Sequence, residues 1–207
     1  MSNQKLYVMK ALKIIGIVVL VIGLAVIVFI LSLKGESHME RSVSINATPE
    51  KVFEIVNDFS YNKDWSPWFK IDENTNYVFS ANTIGVGANY SWDSENPDVL
   101  SGKQEIIESR PNEYVNTKMV FGEMEGDYKA AFILRPIENG TEITWTLENK
   151  ASNAGAGEKF FVDYLSEKIL APTYEEGLQS LKEFIENMPE PGIVESDSSM
   201  IVVEVMD

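Results

Sequence analysis

A chain of 207 residues holds one domain of ordinary size plus an appendage, and a composition of 44% hydrophobic and 24% charged residues excludes both a disordered chain and a wholly membrane-embedded one. The charge is unevenly divided: the first 34 residues carry four lysines and no acid, while the other 13 basic residues face all 32 acidic ones, a net of −19. A field of that sign repels phosphate backbones, so no nucleic acid is expected as a partner. The absence of cysteine excludes disulfides and thiolate chemistry.

Residues 1–13 read as a short cytoplasmic N-terminus. From Ile14 to Leu33 no residue is charged and only Gly16, Gly23 and Ser32 interrupt an aliphatic run. About 20 residues rising 1.5 Å each span a hydrocarbon core, so 14–33 predicts a transmembrane helix with the lipid bilayer as its partner. The rival is a cleaved signal peptide, whose apolar stretch is usually about 7–15 residues and ends in a small-x-small site. Leu31-Ser32-Leu33-Lys34 is a poor site of that kind. Lys5, Lys10 and Lys13 before the span outweigh Lys34 and Arg41 after it, which favours the N-terminus inside and the rest on the outer, periplasmic or extracellular, face of the cell membrane.

A polar linker over 34–40 leads to a strand from Arg41 to Asn46, recognised by its period-two alternation. Thr48 then serves as N-cap and Pro49 as first residue of a helix whose buried stripe is Val52, Phe53 and Val56. The aromatic stretch Asp64 to Phe69 reads as a short helix and a loop, with Pro67 driving Ser66 out of helical geometry. Six further strands are expected at Tyr77–Ser80, Ala88–Trp92, Leu100–Glu108, Glu113–Phe121, Tyr128–Arg135 and Thr141–Asn149, joined by short turns into an antiparallel meander. Residues 157–188 predict a long helix with Phe161, Leu165, Leu178, Leu181 and Ile185 on one face, a break near Pro172 and a weak point at Gly177. An acidic tail, 189–207, is expected to fray, although Ile201 to Val203 offers an apolar run that suits a sheet edge.

Taken together, Arg41-Ser-Val-Ser-Ile-Asn-Ala-Thr-Pro-Glu-Lys-Val-Phe53, Trp65-Ser-Pro-Trp68, Gly85-Val-Gly-Ala88 and Gly140-Thr-Glu-Ile-Thr-Trp145 resemble motifs of the START-like (SRPBCC) superfamily, in its membrane-anchored, polyketide cyclase/dehydrase-like branch. The similarity covers roughly residues 40–187 and the domain is placed at 41–188. It implies an α+β helix-grip fold: a curved antiparallel sheet of about seven strands wrapped around a long C-terminal helix, with a cavity between them, preceded here by the transmembrane helix. The superfamily includes lipid carriers, receptors and cyclases, so the resemblance implies a small hydrophobic ligand more firmly than any reaction. Some relatives continue into an effector-binding domain, whereas this sequence ends about twenty residues after the helix, so the function is expected in the START-like domain or with a separate partner.

Alternation assigns the inner face. Tyr77, Phe79, Tyr90, Trp92, Met119, Phe121, Tyr128, Phe132 and Trp145 point toward the helix and, with Phe161 and Leu165 opposite, are candidate ligand contacts. A closed core built of the same side chains is the competing arrangement. Gln104 and Thr117 are polar exceptions on that face, expected directly opposite each other, where they either bond one another or orient a ligand. Trp65 and Trp68, with Phe69, suit a gate at the cavity mouth, a surface dipping into the bilayer, or ordinary core.

Catalytic signals are sparse. The single histidine, His38, falls in the linker, and no nucleophile–base motif, metal-ligand set or cofactor loop is present. Glu123, Glu125 and Asp127 lack a calcium-loop pattern and read as a solvated turn. A binding module therefore leads. A cyclase or dehydratase using Tyr77, Tyr90 or Tyr128 to polarise a carbonyl stands second, and a ligand-free interaction module third.

Overall fold

The computed structural model describes residues 2–97, 99–122, 124 and 126–189. The acidic tail beyond Pro189 and the turn residues Asp98, Glu123 and Glu125 lie outside them. An N-terminal helix, α1 (Ser2–Ser32), precedes seven strands: β1 (Glu36–Ile45), β2 (Asn76–Phe79), β3 (Asn89–Asp93), β4 (Gly102–Arg110), β5 (Tyr114–Phe121), β6 (Asp127–Ile137) and β7 (Gly140–Lys150). Between β1 and β2 come α2 (Pro49–Val56), a 3₁₀ turn at Phe59–Tyr61, α3 (Asn62–Trp65) and α4 (Trp68–Ile71). After β7 the chain forms α5 (Ala156–Phe160), a π-helical turn at Phe161–Leu165 and α6 (Ser166–Glu186). This is the expected α+β helix-grip arrangement.

The sheet is antiparallel throughout, in the order β1-β7-β6-β5-β4-β3-β2. The meander supplies neighbours β2 to β7 through short connections, and β1 closes the free edge of β7. That strand begins at Glu36, five residues before the expected start, so most of the linker, His38 included, is paired strand. Its first half is polar because only Met39 of Glu36–Glu40 is buried, which hides the period from the sequence.

Thr48 caps α2 as expected, accepting from the Lys51 amide at 3.4 Å, and Pro49 opens the helix. The buried stripe is Val52, Ile55 and Val56, with Phe53 only half-buried against the core. Ser66 is extended, as a residue before proline must be, and it divides the aromatic stretch into two short helices rather than one.

The closing helix differs in one respect from its sequence pattern. Helical geometry runs unbroken through Pro172, and the irregular turn lies upstream at Phe161–Leu165. Its widened turn shifts the inward phase, so Val162 and Ser166 are buried while Phe161 and Leu165 are not. Beyond it, Ala171, Tyr174, Gly177, Leu178, Leu181 and Ile185 face the sheet.

Gly177 is a contact rather than a weak point. A Cβ there would stand 2.8 Å from Trp145 Cζ3 and 3.1 Å from Pro67 Cδ, closer than packed atoms approach. Gly177→Ala is therefore expected to destabilise the fold by about 1–3 kcal/mol, although alanine is the better helix former by about 1 kcal/mol. Gly157→Ala, which meets nothing within 4 Å, leaves stability unchanged or raises it. Thermal unfolding of both variants followed by circular dichroism checks this; equal Tm values for the two would contradict it.

Candidate functional site

Two aromatic groups line the concave face. The first centres on Trp145 of β7, whose ring lies 4.1 Å from Tyr174, 5.1 Å from Phe132 and 5.6 Å from Trp65. Trp65 completes the group, 6.0 Å from Phe132. Tilted and edge-on contacts of this kind let negative ring faces meet positive ring edges. Trp65, only 2% exposed, is core and not a gate, and Trp68 and Phe69 are partly buried against the same core.

The second group is a row of rings along the β2–β6 part of the face. Phe69 stacks on Tyr77 at 4.0 Å, and Phe79 on Tyr90 at 5.3 Å. Tyr90 meets Trp92 at 5.7 Å, Trp92 meets Phe121 at 5.7 Å, and Phe121 meets Tyr128 at 5.4 Å. Helix α6 lies along β1 and covers the Trp145 end, whereas this row is overlaid by Phe69 of α4 and, at Tyr90, by Phe59 of the 3₁₀ turn at 5.0 Å. Tyr77, Trp92 and Phe121 are accordingly half-buried, and Phe79 is 36% exposed.

The polar pair is real but differently registered. Gln104 stands opposite Met119, and Thr117 opposite Ile106. A three-residue connection after Arg110 and a bulge between Ile106 and Glu108 set this register, which an unbroken ladder would not give. The two-residue offset keeps both side chains on one face, and Gln104 Nε2 donates diagonally to Thr117 Oγ1 at 2.9 Å. The line extends both ways. Tyr90 Oη donates to Gln104 Oε1 at 2.7 Å, and Thr117 Oγ1 donates to the Ala130 carbonyl at 3.0 Å. Burial pushes the Tyr90 phenol up, keeping it neutral. At the far end of the row Tyr128 donates to Glu158 of α5 at 2.5 Å, and burial, reinforced by that carboxylate, pushes its phenol up as well.

Of the fifteen residues expected to contact a ligand, the fold thus brings thirteen onto or beside this face. Phe161 and Leu165 stand outside its core cluster. Tyr174, missed in the sequence, takes the helix side of the site; it lies four residues before Leu178 and seven before Leu181, on the same helical face, a signal the expected break at Pro172 obscures. Among the described residues two buried side-chain polar atoms are left without a partner, Thr75 Oγ1 and one atom in the Trp145 group. The Trp65 indole N–H is buried with no protein acceptor. A separate open depression of about 510 Å³ lies at the C-terminal end of α6, beside Asp64, Lys70, Glu183 and Asn187, and none of the fifteen residues lines it.

The Tyr90–Gln104 bond predicts non-additive mutations. Tyr90→Phe strands the Gln104 carbonyl and Gln104→Leu strands the phenol, each costing about 1–3 kcal/mol. The double variant removes both partners and is expected to cost less than the two single losses together, by about 0.5–3 kcal/mol. Urea denaturation of the four proteins measures the cycle; strict additivity would show the bond to be unimportant.

Comparison with known proteins agrees with this geometry. The family described as "Polyketide cyclase / dehydrase and lipid transport" matches residues 36–186, from the first residue of β1 to the last of α6. Norcoclaurine synthase from Thalictrum flavum, solved with dopamine and hydroxybenzaldehyde, superposes with a TM-score of 0.58 at 11% identity, over 75% of this chain and 90% of that one. An uncharacterised protein from Rhizobium leguminosarum gives 0.53 at 16% identity, over 74% and 96%. The di-domain aromatase/cyclase StfQ of steffimycin biosynthesis gives 0.54 at 12% identity, over 74% of this chain and 51% of that one. At such identities the likeness is one of fold. No curated protein matches in sequence. The family match spans the whole sheet and its closing helix, and the chain belongs to the polyketide cyclase/dehydrase and lipid transport family.

Proposed function

We propose that this protein is a membrane-anchored START-like module that binds a small hydrophobic molecule or a lipid acyl chain on the concave face of its sheet. In this reading α1 is the anchor and the domain, 41–188 with the connecting residues 34–40 ahead of it, lies on the outer face of the cell membrane. The family's description includes lipid transport, and the row from Phe79 to Tyr128, covered by Phe69 and Phe59 and not by α6, keeps Phe79 exposed and Tyr77, Trp92 and Phe121 half-buried. The observation that carries the reading is the Trp65 N–H. A buried donor without an acceptor costs about 1–3 kcal/mol, which a ligand carbonyl, hydroxyl or carboxylate would recover.

The same observation favours binding over catalysis. An indole N–H donates but does not ionise near neutral pH, so it can orient a ligand and cannot serve as general acid or base. The three tyrosines suited to polarising a carbonyl already donate within the protein: Tyr77 to the Trp68 carbonyl at 3.4 Å, Tyr90 to Gln104 at 2.7 Å and Tyr128 to Glu158 at 2.5 Å. A cyclase or dehydratase would have to break one of these bonds first.

Native mass spectrometry of the full chain, gently purified and compared with Trp65→Phe, tests the ligand. Lipids held by α1 are common to both proteins. An adduct removed by organic extraction, and bound about tenfold more weakly by Trp65→Phe, is the expected result, since one such bond is worth about 1.4 kcal/mol. Identical spectra lacking any adduct, with no uptake of apolar dyes, would transfer the assignment to a ligand-free interaction module. The topology has its own check. Protease added to intact cells is expected to cut the domain, and protection until permeabilisation would reverse the orientation.

A further inference from the structure

The junction between α1 and the domain is built, not loose. Asp163, in the π-helical turn, accepts from two backbone amides of the connection: Lys34 N–H at 2.8 Å to Oδ2 and Glu36 N–H at 2.9 Å to Oδ1. Between them Gly35 adopts φ +72°, and its carbonyl accepts from the Ala151 amide at 2.7 Å. A Cβ at that position would lie 2.7 Å from the Ala151 carbonyl oxygen, so the crossing is fixed on both sides. Leu33 is buried at the same point.

This strap sets the last turn of α1 against the start of the closing helix. Phe29 meets Phe160 at 6.2 Å and Tyr164 at 5.9 Å, and those two rings lie 5.5 Å apart. Even so, Phe160 is 39% and Tyr164 50% exposed, and neither belongs to the domain core. An exposed phenylalanine beside a tyrosine, continuous with the end of an apolar helix, has the amphipathic character of residues that settle at the headgroup boundary. Lys34 lies in the strap itself and the Lys159 side chain packs beside it, its Cγ 3.0 Å from where a Gly35 Cβ would stand, in a domain otherwise dominated by acid.

We propose that Phe160 and Tyr164, together with Phe29, form an interfacial aromatic belt that seats the domain against the same bilayer α1 crosses, with the Asp163 strap fixing the seat. The occupant of this surface is the headgroup and upper acyl region of the membrane. The inference rests on the reading of α1 as a span and adds to it: the domain is held on the membrane in one orientation, with α5 and the π-helical turn facing lipid, and is not a globule on a tether. Trp65 and Trp68, the aromatics that seemed suited to this role by sequence, are engaged in the core instead.

The absence of cysteine makes the test direct. Single-cysteine variants of the full chain, Ile22→Cys, Phe160→Cys, Tyr164→Cys and Val78→Cys, are spin-labelled, reconstituted into phosphatidylcholine vesicles and compared for collision with oxygen, which concentrates in lipid, and with a water-soluble nickel chelate. Val78, 58% exposed on β2 at the opposite sheet edge from β1, is the aqueous reference. The expected oxygen-to-nickel ratio is highest at Ile22 and several-fold above the Val78 value at positions 160 and 164. Ratios at 160 and 164 equal to that at Val78, with Ile22 still in lipid, would overturn the belt while leaving the anchor intact. Low access to both reagents at 160 and 164 would overturn it in favour of contact with another protein copy. A water-accessible Ile22 would remove the anchor and the belt together.

Discussion

The Trp145 ring is where the sheet, the closing helix and the Trp-rich segment meet. It lies between Tyr174 of α6, Phe132 of β6 and Trp65 of α3, and the helix approaches it through the bare backbone of Gly177. Pro67 comes to the same glycine, its Cδ 3.1 Å from where a Cβ would stand. Large rings bury 150–250 Å² each, roughly, and each well-oriented pair adds about 0.5–1.5 kcal/mol beyond that area. Charge contributes less to seating the helix: Arg41 of β1 reaches Glu175 and Glu167 of α6 at 2.9 and 3.4 Å, but both carboxylates are well exposed, and pairs of that kind are worth little. Packing around one tryptophan therefore decides where α6 lies.

Because Trp145 belongs to β7, next to the edge strand β1, the helix is drawn to one side of a seven-stranded sheet. The other side must cover its concave face by different means, and the chain supplies Phe69 stacked on Tyr77 and Phe59 edge-on to Tyr90. One half of the face is thus a helix-covered core and the other an aromatic row under a short helix. The hydrogen-bonded line from Tyr90 to the Ala130 carbonyl runs beneath that row and satisfies its own polar atoms. A line satisfied internally fixes the strands and offers a ligand little. This is why the unmatched Trp65 N–H carries more weight for binding than Gln104 or Thr117 does.

Most of this fold is written locally in the sequence. Strands β2 to β7 alternate clearly because one face is packed and the other solvated, and every one was legible to within a few residues. The first half of β1 was not, since a stretch of edge strand in which Met39 alone is buried has no period to show. Register across β4 and β5 was misjudged because a bulge has no reliable signature in one sequence, although the two-residue offset preserved the face and hence the pairing of Gln104 with Thr117. The helix went astray for a similar reason. Proline at 172 attracted the break, while the π-helical turn at Phe161–Leu165, which changes phase without any breaker residue, left Phe161 and Leu165 outside the core cluster and Tyr174 in it. Inward direction was readable from alternation; whether side chains that meet inside leave room for a ligand depends on distances between elements remote in sequence.

The charge distribution imposes a further constraint on how such a domain can work beside a membrane. Its acid excess opposes approach to an anionic surface, so electrostatics alone would hold it away from the bilayer over about a Debye length. Attraction must be local and apolar, and repulsion must be relieved at the point of contact. Asp163, one of the acids at the junction, has both oxygens occupied by the amides of Lys34 and Glu36, so its charge is met by backbone dipoles. Phe160 and Tyr164 remain outward beside that point, next to the exposed Lys34 and Glu36. For a domain of this sign on an α1 anchor, the strap between α1 and the closing helix, more than any long-range field, would determine which face meets lipid and how far an acyl chain must travel to reach the aromatic row.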